Sequence, residues 1–254
     1  MPDVYLMHKP LAILAACVLL AACGGSSPTD PTRVPALLKV RFLAFGDSMT
    51  SGEVTVPVGV VSDGPAAGLL EPPSTRQILV PAASYPTQLL SMLQSRYVIQ
   101  AATISVTNAG KPGEYSFHAL PRLAETLAEV KPEVLLLLHG ANDLPFQNTD
   151  LSAAALTEMT RQGKNSGARV FLATLAPFKS GGRNSPSPAL VAELNVRIKA
   201  IALSEGVVLV DLFDTLVSEA NTLIGVDGLH PTEVGYKRIA DVFFASIQAN
   251  LEVK

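Results

Sequence analysis

The chain has 254 residues, 48% of them hydrophobic, enough to bury one sizeable core within a single α/β domain. A formal net charge of -3 and a charged fraction of only 16% provide neither a basic stripe nor a strongly acidic tail, so nucleic acid is excluded as an expected partner. The two cysteines, Cys17 and Cys23, both fall in the first segment, which leaves the folded part no thiol for a disulfide, a metal site or nucleophilic catalysis.

Residues 1–22 read as a targeting segment. After Lys9, an apolar stretch from Leu11 to Ala22 is too short to span as a mature transmembrane helix and ends in small residues. Its end, Leu20-Ala21-Ala22-Cys23-Gly24, resembles the bacterial lipoprotein processing box, in which cleavage exposes the cysteine for lipid attachment. That resemblance implies acyl chains on Cys23, sufficient for stable membrane attachment through an N-terminal anchor. Gly24, where aspartate could stand, resembles outer-membrane sorting, so the expected place is the bacterial cell envelope, on the periplasmic or surface side. A plain secretory signal, with Cys23 a bystander, is the other reading. Asp3 offsets Lys9 in the amino-terminal region, whereas a start at Met7 would give Met-His-Lys directly before the apolar run. Residues 23–36, rich in Gly, Ser, Pro, Thr and Asp, read as a flexible tether.

From residue 37 to 254, short apolar runs alternate with longer segments of helical period. This predicts a single-domain three-layer αβα sandwich around a mostly parallel five-stranded sheet. In chain order the expectations are a strand over Leu38 to Phe45, a helix over Tyr85 to Arg96, a strand over Val98 to Thr107 and a helix over Tyr115 to Val130. A strand over Val134 to Leu138, a helix over Leu151 to Ser166, a strand over Arg169 to Thr174 and a helix over Ala189 to Ser204 come next. The last are a strand over Val207 to Val210 and a helix from Thr232 to about Asn250, with Pro231 where that helix begins.

Two segments break the alternation. Residues 53–83 are far longer than a usual βα loop and rich in Pro, Gly and Val, so they read as a lid, an elaborated cleft wall or a surface insertion. Aliphatic residues there, such as Val54, Val56, Ile78 and Leu79, favour an apolar acyl or aromatic ester unless they pack on their own scaffold. Pro177 to Pro188 is a Gly/Ser/Pro loop whose Lys179 and Arg183 read as solvated charges ahead of anion ligands.

In an open parallel sheet, ligands bind beyond the carboxyl ends of the strands. The suspicious residues collect there. Phe45-Gly46-Asp47-Ser48-Met49-Thr50 closes the first strand, Asn108-Ala109-Gly110-Lys111-Pro112-Gly113 follows the second, and His139-Gly140-Ala141-Asn142-Asp143 follows the third. Asp227-Gly228-Leu229-His230-Pro231 comes after the fifth. A serine hydroxyl is a poor nucleophile at neutral pH unless an imidazole takes its proton, and a carboxylate that fixes the ring tautomer helps. Ser48, His230 and Asp227 supply the three parts, the acid being three residues from the histidine and able to reach its far ring nitrogen within one turn.

The four segments together resemble the four blocks of the SGNH, or GDSL-type, hydrolase family, from about Lys39 onward and apart from the Glu53 to Ala83 insertion. Met49 stands where that family usually has leucine. The resemblance implies a flavodoxin-like SGNH fold and a serine esterase that cleaves carboxylic esters through an acyl-enzyme intermediate. It implies Ser48 as nucleophile, His230 as base and then acid, and Asp227 as orienting acid. The backbone N–H groups of Ser48 and Gly113 and the side-chain amide of Asn142 would form the oxyanion hole. Blander roles exist for each: a helix cap for Ser48, a turn for Asn142, and a left-handed turn for Gly113, with Gly110 a competing candidate. Asp211 and Asp214 could rival Asp227 but suit loop or capping roles, and His118 and His139 read as structural.

No metal-ligand constellation or Gly-rich nucleotide loop occurs in the sequence, so no cofactor and no metal are expected. The expected substrate is a small-molecule, glycan or lipid ester. Acyl transfer by the same triad, or a non-catalytic surface-binding lipoprotein on a hydrolase scaffold, are the alternatives.

Overall fold

The computed structural model describes Met1 and residues 34–58 and 75–253. The expected signal segment, most of the expected tether, Cys23 and the centre of the 53–83 insertion lie outside the described residues. The chain forms β1 (Arg41–Gly46), the helical turn α1 (Ser48–Ser51), β2 (Glu53–Pro57), β3 (Thr75–Leu79), α2 (Tyr85–Arg96), β4 (Ser105–Gly110), α3 (Leu120–Val130) and β5 (Val134–Leu138). It continues through α4 (Thr149–Asn165), β6 (Arg169–Ala173), α5 (Pro188–Glu205), β7 (Val208–Val210), α6 (Leu212–Leu216), α7 (Ala220–Leu223) and α8 (Glu233–Leu251).

Five strands form one sheet in the order β4-β1-β5-β6-β7, with every neighbouring pair parallel. The five residues of β5, Val-Leu-Leu-Leu-Leu, are all buried, as a central strand covered on both faces requires. Helices α2 and α8 pack together, with Tyr85 and Phe243 stacked 4.9 Å apart, while α3, α4 and α5 form a second row. The chain leaves β1 for the β4 side and returns on the other side of β1 as β5. That reversal opens a crevice at the carboxyl ends of β1 and β5, where a doubly wound sheet binds its ligands.

The expected strand over Val98 to Thr107 is half wrong. Only from Ser105 does the chain pair with β1, and Ala101–Thr103 is a 3₁₀ turn. Val98 and Ile99 stay exposed because Gln100 turns the chain here, its side chain exchanging hydrogen bonds with the Leu37 backbone at 2.7 and 3.0 Å. The expected helix from Tyr115 starts only at Leu120, where Pro121 opens it, and a 3₁₀ turn over Ser116–His118 precedes it. The described ends of the 53–83 insertion are ordered as an antiparallel ribbon, β2 on β3, with Val54 facing Ile78. Asp211 caps α6 by accepting the Asp214 N–H at 3.1 Å, the capping role read for it in the sequence.

Candidate active site

β1 ends at Gly46 and the chain turns at once into α1. Asp47 caps that turn, its Oδ1 accepting the Met49 N–H at 3.0 Å, so Ser48 becomes the first helical residue at the tip of the strand. Ser48 is 2% exposed, and its Oγ lies 3.0 Å from His230 Nε2. On the other side of the ring, Nδ1 lies 2.6 Å from Asp227 Oδ2. The second Asp227 oxygen accepts the backbone N–H groups of Leu229 and His230, both at 3.1 Å, a turn that folds the acid back onto a ring three residues later. Gly225 closes this loop by donating its N–H to the His230 carbonyl at 2.8 Å, and Thr232 caps α8 immediately beyond.

Burial alone would raise the Asp227 carboxyl. The hydrogen bond and charge of the His230 ring, with the Leu229 N–H, outweigh it and hold the group well below the ordinary carboxylate range. Asp227 is therefore ionised at neutral pH, fixes the proton on Nδ1, and leaves Nε2 free to accept from Ser48.

Gly113, Asn142 and His230 line one cleft of about 510 Å³. Asn142 donates its side-chain amide to the Glu114 carbonyl at 3.1 Å, beside Gly113 in sequence. The structure separates the two candidate glycines. Gly113 has φ +72° and open space where a Cβ would stand, whereas a Cβ on Gly110 would lie 2.1 Å from the Ser51 nitrogen. Gly110 is packed on the turn that carries Ser48; Gly113 faces the cleft.

Several residues around this centre escaped the sequence reading. Asn184, in the loop after β6, donates to Asp227 Oδ2 at 3.1 Å and its backbone N–H donates to the Asp227 carbonyl at 2.8 Å. The ribbon contributes Glu53, 3.6 Å from His230 Nε2, and Gln77, 3.5 Å from Nδ1. Beneath the site lies a buried polar network. Glu114 pairs with Arg122 and sits 3.4 Å from His139 Nε2, while His139 Nδ1 accepts the Gly140 N–H at 2.9 Å. Arg122 lies over the Phe45 ring at 3.9 Å and donates to the carbonyls of Ala109 and Gly46, at the ends of β4 and β1. Burial would raise Glu114, but hydrogen bonds from His139 and Arg122 hold its carboxyl down at about 2. His139 is thus the satisfied structural histidine the sequence reading expected. The signal for Glu114 was faint: an acid next to the candidate glycine, eight residues before an arginine in the first turn of α3.

This constellation sits within a longer match. Residues 44–238 match the model of the GDSL-like lipase/acylhydrolase family. The chain belongs to that family. Among curated relatives of the GDSL-like chain, an acetylxylan esterase of Xylanibacter ruminicola is 23% identical over 186 residues, 65% of this chain. The match spans only 38% of that esterase's own length. Esterase TesA of Pseudomonas aeruginosa is 26% identical over 153 residues, 60% of this chain and 74% of that protein. The fold is shared with the lipase/acylhydrolase of Enterococcus faecalis, at a TM-score of 0.62 and 21% identity, covering 85% of this chain and 98% of that one. An acetylxylan esterase of Geobacillus stearothermophilus superimposes with a TM-score of 0.60 at 21% identity, covering 81% and 93%. The GDSL-like fold, with its parallel sheet and flanking helices, is the one the sequence predicts.

Proposed function

We propose that this chain is a carboxylic ester hydrolase that works through Ser48, His230 and Asp227 and an acyl-enzyme intermediate. The observation that carries the reading is the unbroken chain Ser48 Oγ, His230 Nε2, His230 Nδ1, Asp227 Oδ2, with steps of 3.0 and 2.6 Å across the ring. Family membership and two curated relatives named as esterases support it.

Ser48 Oγ attacks the ester carbonyl as its proton passes to Nε2, and the ionised Asp227 stabilises the imidazolium so formed. Negative charge gathers on the former carbonyl oxygen, for which the N–H groups of Ser48 and Gly113 and the amide of Asn142 are the donors in this reading. Collapse expels the alcohol with the proton from Nε2, and water, activated by the same nitrogen, then releases the acid. The chemistry needs no cofactor. In the same reading the enzyme is held at the bacterial envelope by lipid on Cys23, supported by the Leu20-Ala21-Ala22-Cys23-Gly24 box.

The deciding experiment is hydrolysis of p-nitrophenyl acetate by the wild type and by Ser48→Ala, alongside labelling with a fluorophosphonate. Activity and labelling in the wild type, both absent from a folded Ser48→Ala protein, are expected. A folded wild type inert to both would sink the hydrolase reading. For the anchor, Cys23→Ala is expected to abolish incorporation of labelled palmitate in cells; unchanged incorporation would refute it.

A further inference from the structure

The connection from β6 to α5, residues 174–187, forms no helix or strand of its own, and a loop of that length in a compact domain usually carries a function. Its inner side lies against the turn from Gly225 to His230 that presents the triad acid. The Lys179 N–H donates to the Gly228 carbonyl at 3.0 Å, and the Asn184 N–H donates to the Asp227 carbonyl at 2.8 Å. Glycines at the contact let the two backbones touch. A Cβ on Gly182 would stand 2.2 Å from the Asp227 carbonyl carbon, and one on Gly228 would stand 2.1 Å from Ser185 Oγ.

The loop is also closed on itself. Ser185 Oγ donates to the Lys179 carbonyl at 2.6 Å and accepts the Gly182 N–H at 2.8 Å, which fixes where Asn184 stands. Residues 183–187 at the same time line the 510 Å³ cleft beside His230. One side of the loop is thus cleft wall, and the other is a clamp on Asp227. An ionised carboxylate offers about four lone-pair positions, two on each oxygen. At Asp227 Oδ1 both are met from within its own turn, by the N–H groups of Leu229 and His230. At Oδ2 one is met by His230 Nδ1 at 2.6 Å and the other by the Asn184 side-chain amide at 3.1 Å.

We infer that Asn184 is a positioning residue for the reaction: its amide holds Asp227 Oδ2 in line with the His230 ring, and the loop from Pro177 to Pro188 is the strap that carries it. The inference rests on the Ser48, His230 and Asp227 reading and adds a residue to it. An amide suits this task better than a cation. A lysine or arginine would fix the carboxylate equally well but neutralise the charge that steadies the imidazolium, whereas an amide gives direction and leaves that charge in place. The Asn184 amide acts on the reaction through the carboxylate, by setting the angle and length of its bond to the ring.

Two variants test it. Asn184→Ala removes the amide, and Asn184→Leu replaces it with a branched side chain of similar shape and no donor; both keep the backbone N–H that bonds to Asp227. In each, kcat for p-nitrophenyl acetate is expected to fall about tenfold with KM within about twofold of wild type, part of the roughly 10²-fold that a 1 Å misplacement can cost. Proton NMR gives a readout independent of turnover. The His230 Nδ1 proton, in a 2.6 Å bond to a carboxylate, resonates at low field, and in both variants its signal is expected to move upfield or broaden. In an Asp227→Ala background, where Oδ2 is gone, Asn184→Ala is expected to cost nothing further. Wild-type kcat in Asn184→Leu, an unmoved Nδ1 signal in both variants, or the full loss repeated in the Asp227→Ala background would each overturn the assignment. A wild type inert toward p-nitrophenyl acetate whose Nδ1 signal still moves on loss of Asn184 would leave the strap standing and fell the hydrolase reading instead.

Discussion

Asn142 gives one of its amide hydrogens to the carbonyl of Glu114, 3.1 Å away, and so ties the turn after β5 to the loop that carries Gly113. An asparagine amide has two hydrogens. One fixes the orientation of the group; the other remains for a substrate oxygen in the cleft that Asn142 and Gly113 both line.

Removing Asn142 therefore has two expected consequences of different size. Asn142→Ala lowers kcat for p-nitrophenyl acetate on the order of 10²–10³-fold with KM little changed, the usual loss for one oxyanion donor. Stability falls by only about 1 kcal/mol, for the lost bond to Glu114. Steady-state kinetics and urea unfolding check the two parts, and a defect seen in KM alone would assign Asn142 to ground-state binding.

The two glycines of the loop after β4 make opposite predictions. A Cβ on Gly110 collides with the backbone of Ser51 and Thr50, so Gly110→Ala must push the turn bearing Ser48 aside and is expected to lose both stability and activity. Gly113→Ala meets nothing within 4 Å but carries a side chain at φ +72°, a strain of about 1–2 kcal/mol. It should stay folded with a Tm only a few degrees lower while kcat/KM drops at least about tenfold, as the N–H shifts from its line to the substrate oxygen. Equal activity in Gly113→Ala and wild type would remove Gly113 from the oxyanion hole.

What was legible in the sequence follows from where local pattern and chemistry coincide. The run of buried residues in β5 and the turn of α1 after β1 need only neighbours in sequence, so the strand ends and Ser48 were readable. Asp227 and His230 were readable because three residues separate them. Asn184 reaches Asp227 across a loop 43 residues away, and Glu114 meets His139 across 25, distances at which no spacing rule operates. Val98 and Ile99 misled because their aliphatic character imitates a strand, while the turn depends on Gln100 bonding to Leu37, 63 residues earlier.

Glu114 should make the fold acid-sensitive. Its carboxyl is held at about 2 against an ordinary 4.5, so the folded state favours the ionised form. The stability it contributes is complete above about 4.5 and is lost as pH falls toward 2. Urea midpoints at pH 6, 4.5 and 3 are expected to fall for the wild type below 4.5 and to fall less steeply for Glu114→Gln. At pH 6 the variant is expected to be less stable by roughly 3 kcal/mol, because the partly buried Arg122 loses its charge partner. Parallel curves for the two proteins would show that Glu114 does not carry the effect.

Asp47, in the same network, should respond with the opposite sign. It is buried, its Oδ2 has no hydrogen-bond partner and stands 3.6 Å from His139 Nδ1, and burial raises its carboxyl above the ordinary value despite the opposing His139 ring and Met49 N–H. A raised acid favours the protonated fold, so its contribution is present at low pH and is lost as pH rises through the folded-state value. Asp47→Asn keeps an oxygen to cap α1 and removes the buried charge. Its Tm should exceed that of the wild type at pH 7 by about 2–4 °C, a gain on the order of 1 kcal/mol for a domain of this length. At pH 3, where wild-type Asp47 is itself protonated, the gain should vanish. Calorimetry at the two pH values decides it. A lower Tm for Asp47→Asn at pH 7 would show that the ionised Asp47 carboxylate is stabilised, not penalised, where it is buried.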